Sequence, residues 1–193
     1  MEKQQWRKKY LTILSGQTVS LIGSSAVQFA LIWWLTNESK SAIMLSLAGL
    51  SSYLPQMILG PFVGVWLDRL KRKYVVIFAD LFMGLVALGL SIWFLVGSPG
   101  YLVVIAALFL RSSANVFHTP SIQAIVPLLV PEEELVKANS WNQFLQSGAF
   151  MLGPVLGAVM FAAMPIWLIL LTDLIGAIAA CLTLWIVEVP DVP

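Results

Sequence analysis

Long stretches without a charged side chain alternate along this sequence with short, dense clusters of charge. Residues 10–37, 41–67 and 138–172 hold no Asp, Glu, Lys or Arg. An α-helix rises about 1.5 Å per residue, so roughly 20 apolar residues cross the hydrocarbon core of a bilayer. The pattern predicts six spans, at 10–36, 43–67, 74–96, 101–125, 139–162 and 165–187. Polar residues, Gly or Pro interrupt it at Asn37–Ser41, 68–73, Gly97–Gly100, Pro127–Lys137 and Ala163–Pro165. Only Met164-Pro165 separates the fifth span from the sixth.

Composition sharpens the class. Apolar residues make up 59% of the 193 and charged residues 11%, against about 45–50% and about 25% in a soluble domain. Because the excess is spread over span-length segments, residues 1–193 read as one all-α, six-helix transmembrane bundle. The lone Cys181 excludes an intramolecular disulfide and reads as packing. The basic tail (Lys3, Arg7, Lys8, Lys9) is similar to the start of a secretory signal, but the apolar stretch behind it is too long for one. It reads as a first span that stays.

Charge sets orientation. With alternating spans, the tail, the 68–73 loop and the 126–138 loop share one side, which holds Lys3, Arg7, Lys8, Lys9, Arg69, Lys71, Arg72, Lys73 and Lys137. The other side holds Lys40. Lys and Arg accumulate on the cytoplasmic side, so both termini are expected there.

The chain also repeats itself. Leu59-Gly60-Pro61-x-x-Gly64 matches Leu152-Gly153-Pro154-x-x-Gly157, and Asp80-Leu81 matches Asp173-Leu174 at the same offset of 93. Three spans per copy is an odd number, so 10–96 and 101–187 are expected as two inverted three-helix repeats, a build common among secondary transporters. Gly60-Pro61 and Gly153-Pro154, with Gly157, are expected helix bends, because Pro removes a backbone hydrogen bond and Gly admits a close neighbour.

Four ionisable groups fall inside spans: Asp80, Arg111, His118 and Asp173. Each costs about 2.5–3.5 kcal/mol on insertion scales, so each is a functional candidate. Arg111, Asn115 and His118 share one helix face by their spacing. Arg111 lies near mid-membrane, where its guanidinium stays charged. Asp80 reads either as a coupling group or as a helix-start carboxylate near the basic loop. His118 reads either as a titrating group or as a partner for backbone groups freed by Pro120. Asp173 is expected to meet a buried donor, Arg111 being the obvious one. Polar stripes in the first span (Gln17, Ser20, Ser24, Gln28) and the fifth (Gln143, Gln146, Ser147) read as cavity lining or as helix–helix hydrogen bonds. Trp66, Trp93, Trp167 and Trp185, near span ends, read as interface anchors. No nucleotide-binding, hydrolase or metal-ligand motif is present, so neither enzyme activity nor a metal site is expected. Glu132-Glu133-Glu134 reads as the start of a short cytoplasmic helix.

Gly64-x-x-x-Asp68-Arg69-x-x-Arg72-Lys73 resembles the signature loop of the major facilitator superfamily, with Lys71 where a second glycine is usual. Arg111 resembles that superfamily's intramembrane arginine, and Gly153-Pro154-x-x-Gly157-Ala158 its antiporter motif. GQTVSLIGSS at 16–25, ADL at 79–81, FHTPSIQAIVPLLVPEEEL at 117–135 and FLQS at 144–147 resemble bacterial macrolide exporters of the Mef type. The likeness covers the amino-terminal half of such a twelve-span transporter. It implies a gating loop (Gly64, Asp68, Arg69, Arg72, Lys73), with Asp68 facing a helix of the other half. It also implies proton-coupled export of a hydrophobic small molecule from a cavity between the first, second, fourth and fifth spans. The expected energy source is the proton gradient, with no cofactor. The expected partners are the bilayer and either a carboxy-terminal six-helix half or a second copy, with no nucleic acid, in the bacterial cell membrane. Alternatives are a truncated, inactive half, a related siderophore or small-molecule exporter, and the membrane subunit of an ATP-driven exporter. The six-residue 68–73 loop is short for docking an ATPase.

Overall fold

The computed structural model describes residues 2–190, with side chains from residue 5; the Lys3 side chain and positions 1 and 191–193 lie outside the described set. Six helices run in order: α1 Glu2–Ser39, α2 Ala42–Leu67, α3 Arg72–Val96, α4 Tyr101–Leu129, α5 Leu135–Ala163 and α6 Ile166–Ile186. All six are long and apolar enough to cross a membrane. The chain is all-α, as its pattern predicts. Two helices outrun their apolar windows. α1 continues back through the basic tail, and α4 passes Pro127 before stopping at Val130-Pro131. Glu132–Glu134 form one 3₁₀ turn that leads into α5 rather than a separate helix.

Each break has a local cause. Lys40 takes a left-handed conformation (φ 48°), which ends α1, and extended Ser41 starts α2. Asp68, Arg69 and Leu70 donate backbone bonds to Gly64, Trp66 and Leu67, tightening the end of α2 into a compact turn. Pro165 stands just before α6, where its missing N–H costs nothing. Pro55, Pro61, Pro120, Pro127 and Pro154 sit inside helices that continue through them.

The packing forms a two-layer arrangement. α3 and α6 lie against each other; α1 packs on α6 and α5, and α4 packs on α3 and α2. Exchanging α1 with α4, α2 with α5 and α3 with α6 turns this set of pairings into itself. Two apolar clusters hold the layers together. Val27, Leu31, Leu35, Leu90, Leu108 and Leu170 fill the end away from the 68–73 loop. Ile13, Val76, Ile125 and Leu184 fill the end near it. Between them runs a buried polar belt of Gln17, Ser20, Asp80, Arg111, His118 and Asp173. The helices present many large apolar side chains outward, Phe78, Leu85 and Ile186 among them, which suits lipid as solvent.

The repeated glycines meet different surroundings. A Cβ on Gly157 would lie 2.6 Å from the Ala26 carbonyl oxygen and 3.0 Å from the Phe29 ring, so glycine lets α5 press onto α1. Gly153 sits equally close over Ser25. Gly60 and Gly64 face open space. In α2 it is Val63 and Leu67 that pack on α4, with Val116. The expectation that both motifs admit a close neighbour therefore holds within these residues for α5 and not for α2.

Candidate functional site

Arg111 and His118 stand two turns apart on α4 and both turn toward the α3–α6 layer. At Arg111, Nη1 pairs with Asp173 Oδ2 of α6. Ser24 of α1 donates to Asp173 Oδ1 at 2.5 Å. The guanidinium also reaches the backbone oxygens of Met83 (3.5 Å) and Ser24 (3.4 Å). Arg111 and Asp173 are 5% and 1% exposed. A buried ion pair is stable only when its remaining donors and acceptors are also met, and here three helices besides α4 supply partners.

The second cluster is built on Asp80 of α3, 1% exposed. Gln17 of α1 donates from Nε2 to Asp80 Oδ2 at 3.2 Å, and its Oε1 lies 3.0 Å from His118 Nε2. His118 Nε2 is also 3.2 Å from Asp80 Oδ1. That approach is off the line a hydrogen bond needs, and Oδ1 has no hydrogen bond. Asp80 is thus no helix-start carboxylate beside the basic loop: it lies on the third turn of α3, faced inward by the helix period. His118 meets side chains and does not serve the backbone groups freed by Pro120.

The two clusters share one plan. Each carboxylate is met by one side chain from α1 and one from α4. The pair Gln17 and Ser24 on α1 and the pair Arg111 and His118 on α4 have the same seven-residue spacing. α1 and α4 run antiparallel, so Gln17 lies level with His118, and Ser24 with Arg111.

The other candidates fall elsewhere. Asn115, expected on the Arg111–His118 face, is exposed and accepts from Thr119 at 3.4 Å. The difference of about 40° per four residues suffices to carry it past the layer boundary. Gln143 is exposed, while Gln28 and Gln146 are half-buried; none joins either cluster. Trp66 stacks on Phe117, with centroids 5.8 Å apart and planes at 7°, and Trp93 and Trp185 are exposed. In the charged loop, Arg72 donates to the Ala124 oxygen (3.1 Å). Lys73 donates to the Trp185 (3.4 Å) and Val187 (2.8 Å) oxygens, capping the C-terminus of α6. Asp68 and Arg69 are exposed. At the same end Arg7 pairs with Glu134 at 3.2 Å, and Tyr10 donates to the Ala138 oxygen at 2.9 Å. Among the described residues, no group of His, Cys, Asp and Glu could hold a metal ion.

The family profile described as Major Facilitator Superfamily matches residues 13–193. The chain belongs to that superfamily. Its members are membrane transporters, not enzymes, in keeping with six apolar helices. Macrolide efflux protein A of Streptococcus pyogenes is 41% identical over 192 residues, which cover 98% of this chain and 47% of that protein. Macrolide efflux protein A of Enterococcus faecalis is 38% identical over 151 residues, 78% of this chain and 46% of the relative. An uncharacterized transporter of the superfamily from Bacillus subtilis, YkuC, is 27% identical over 181 residues, 94% and 41% of the two chains. This superfamily chain spans about half the length of the curated relatives it matches.

Proposed function

We propose that this chain forms the amino-terminal six-helix half of a proton-coupled exporter of amphipathic drugs of the macrolide class in the bacterial cell membrane. The observation that carries the reading is the 41% identity with a macrolide efflux protein across 98% of the chain. The pairing pattern that survives exchange of α1–α3 with α4–α6 supports two inverted repeats, 10–96 and 101–187. Both termini lie in the cytoplasm on this reading, on the side where the loops concentrate Lys and Arg.

The open flank of the α1–α4 layer is the substrate side. Asn115 on α4 is exposed there, and Gln28, Gln143 and Gln146 on α1 and α5 supply further polar points along an otherwise apolar wall. A carboxy-terminal six-helix half, or failing that a second copy, closes this flank. On α2, Gly60, Gly64 and Asp68 follow one another every four residues and are all exposed. Small residues admit a partner helix closely, and Asp68, with Arg69 beside it, ends that track as a latch. Arg72 and Lys73 hold the loop to its own half, so the latch is anchored on one side and free on the other. The driving force is the proton gradient, with no cofactor.

The test is drug accumulation in cells expressing the complete reading frame of this protein. Export raises resistance to a macrolide and lowers its cellular content. A proton uncoupler at constant ATP abolishes the difference. Export that survives the uncoupler, or no export of any macrolide, overturns the reading.

A further inference from the structure

We infer that the proton is carried by the Asp80–Gln17–His118 cluster, while the Arg111–Asp173 pair is a fixed strut. This inference rests on the proton-coupled reading above and names its site.

The argument is the comparison of two clusters built to one plan. In the Asp173 cluster the cation is an arginine, which does not lose its proton in a protein. Its Ser24 and backbone contacts leave no ionisable group that changes charge near neutral pH. In the Asp80 cluster the cation position holds a histidine, a side chain that exists both as a neutral imidazole and as an imidazolium. The Asp80 oxygen nearest that ring is buried and has no hydrogen bond. Gln17 holds the geometry in both states because its amide oxygen accepts from a ring Nε2–H that is kept throughout and its amide nitrogen donates to the other carboxylate oxygen, so the proton that is exchanged is the one on Nδ1.

The groups around Asp80 from the other packed elements have partners of their own. Arg111 of α4 is bound to Asp173 of α6. Cys181 of α6 points its sulfur at the Ile77 oxygen, 3.7 Å away. Arg72 and Lys73, at the start of α3, hold Ala124, Trp185 and Val187 oxygens. Tyr10, two turns before Gln17 on α1, holds the Ala138 oxygen.

The step balances with one proton. Loaded, His118 is an imidazolium beside the Asp80 carboxylate, and the cluster is neutral. When the proton leaves to water, neutral His118 and ionised Asp80 carry a net negative charge in a buried site. An uncompensated buried charge is strongly disfavoured, so unloading favours a conformation that brings water or a cation to Asp80. α1 and α4 carry the cluster and also Gln28 and exposed Asn115 of the proposed substrate wall, so the same helices feel both ligands. Drug and proton therefore compete through helix position rather than by contact.

The decisive experiment reconstitutes the protein, expressed from its complete reading frame, in liposomes with an imposed pH gradient. Wild type accumulates macrolide uphill. Asp80→Asn, His118→Gln and His118→Arg lose uphill accumulation and its pH dependence. They retain downhill exchange of labelled for unlabelled drug, a readout that a damaged fold does not preserve. Deuterium exchange at the His118 ring carbon, read by mass spectrometry on unmutated protein, shows a protonation midpoint that moves on adding drug. That measurement decides the matter even where a variant does not fold. If wild type ignores the pH gradient, the proton-coupled reading itself is wrong. If wild type responds and the His118 and Asp80 variants respond equally, or His118 exchange is unmoved by pH and drug, only the assignment of the site is overturned.

Discussion

Asp80 and Asp173 occupy matching turns of α3 and α6, and each receives one side chain from α1 and one from α4. The chain thus ties α1 and α4 to the α3–α6 layer twice, once through an arginine and once through a histidine. The mutational consequences differ accordingly.

Replacing Arg111 with Ala leaves Asp173 buried with Ser24 as its remaining side-chain partner. Breaking a buried pair from one side costs about 3–5 kcal/mol. Loss of folded protein in detergent, measured by thermal melting, is the expected outcome. Arg111→Lys keeps the charge but not the reach to the Met83 and Ser24 oxygens, so its melting temperature falls between the two. Equal melting of Ala and Lys variants would mean that charge contributes nothing.

Gly157→Ala places a methyl group 2.6 Å from the Ala26 carbonyl oxygen. Overpacking of this kind costs about 1–3 kcal/mol, so thermal stability drops. Gly64→Ala meets open space in this half. It melts like wild type, while export by the complete transporter falls because the partner helix is held away. A stable, fully active Gly64→Ala protein argues against a helix docking there.

Asp68→Asn alters an exposed carboxylate. Insertion and melting are unchanged, and macrolide export is lost in resistance assays. Normal export would remove the latch role.

Gln17→Leu removes the amide that joins Asp80 to His118 and leaves Asp80 Oδ2 without its donor. An unmet buried acceptor costs about 1–3 kcal/mol. Melting falls, and the pH profile of export shifts relative to wild type. An unchanged pH profile would reduce Gln17 to packing.

Much of this was legible in the sequence, and the reasons are physical. Spans follow from transfer of apolar side chains, a local property, so all six helices appear where the apolar runs predict them. The pairing of Arg111 with Asp173 was legible because a mid-membrane cation demands a partner and few exist. Position relative to other helices was less legible. Asp80 lies within three turns of the basic loop along the chain, yet points away from it. Asn115 is close in spacing to Arg111 and His118, but a small angular difference leaves it exposed. Gly60 and Gly64 repeat Gly153 and Gly157 letter for letter. Only α5 uses the motif against its own half, because a sequence motif does not state which helix lies opposite. The bridging role of Gln17 had a signal in its seven-residue spacing to Ser24, matched on α4, but only with the helix pairing known.

The Arg111–Asp173 link joins residues 62 positions apart, and this has a consequence for biogenesis. A ribosome delivers α4, with its guanidinium, to the translocon before α6 exists. An unpaired cation at that depth is expensive in lipid. α4 therefore waits in the insertion machinery, or against α1 and α3, until the last helix emerges. Its arrival closes the pair, and a nascent chain stopped before Asp173 carries Arg111 without that partner.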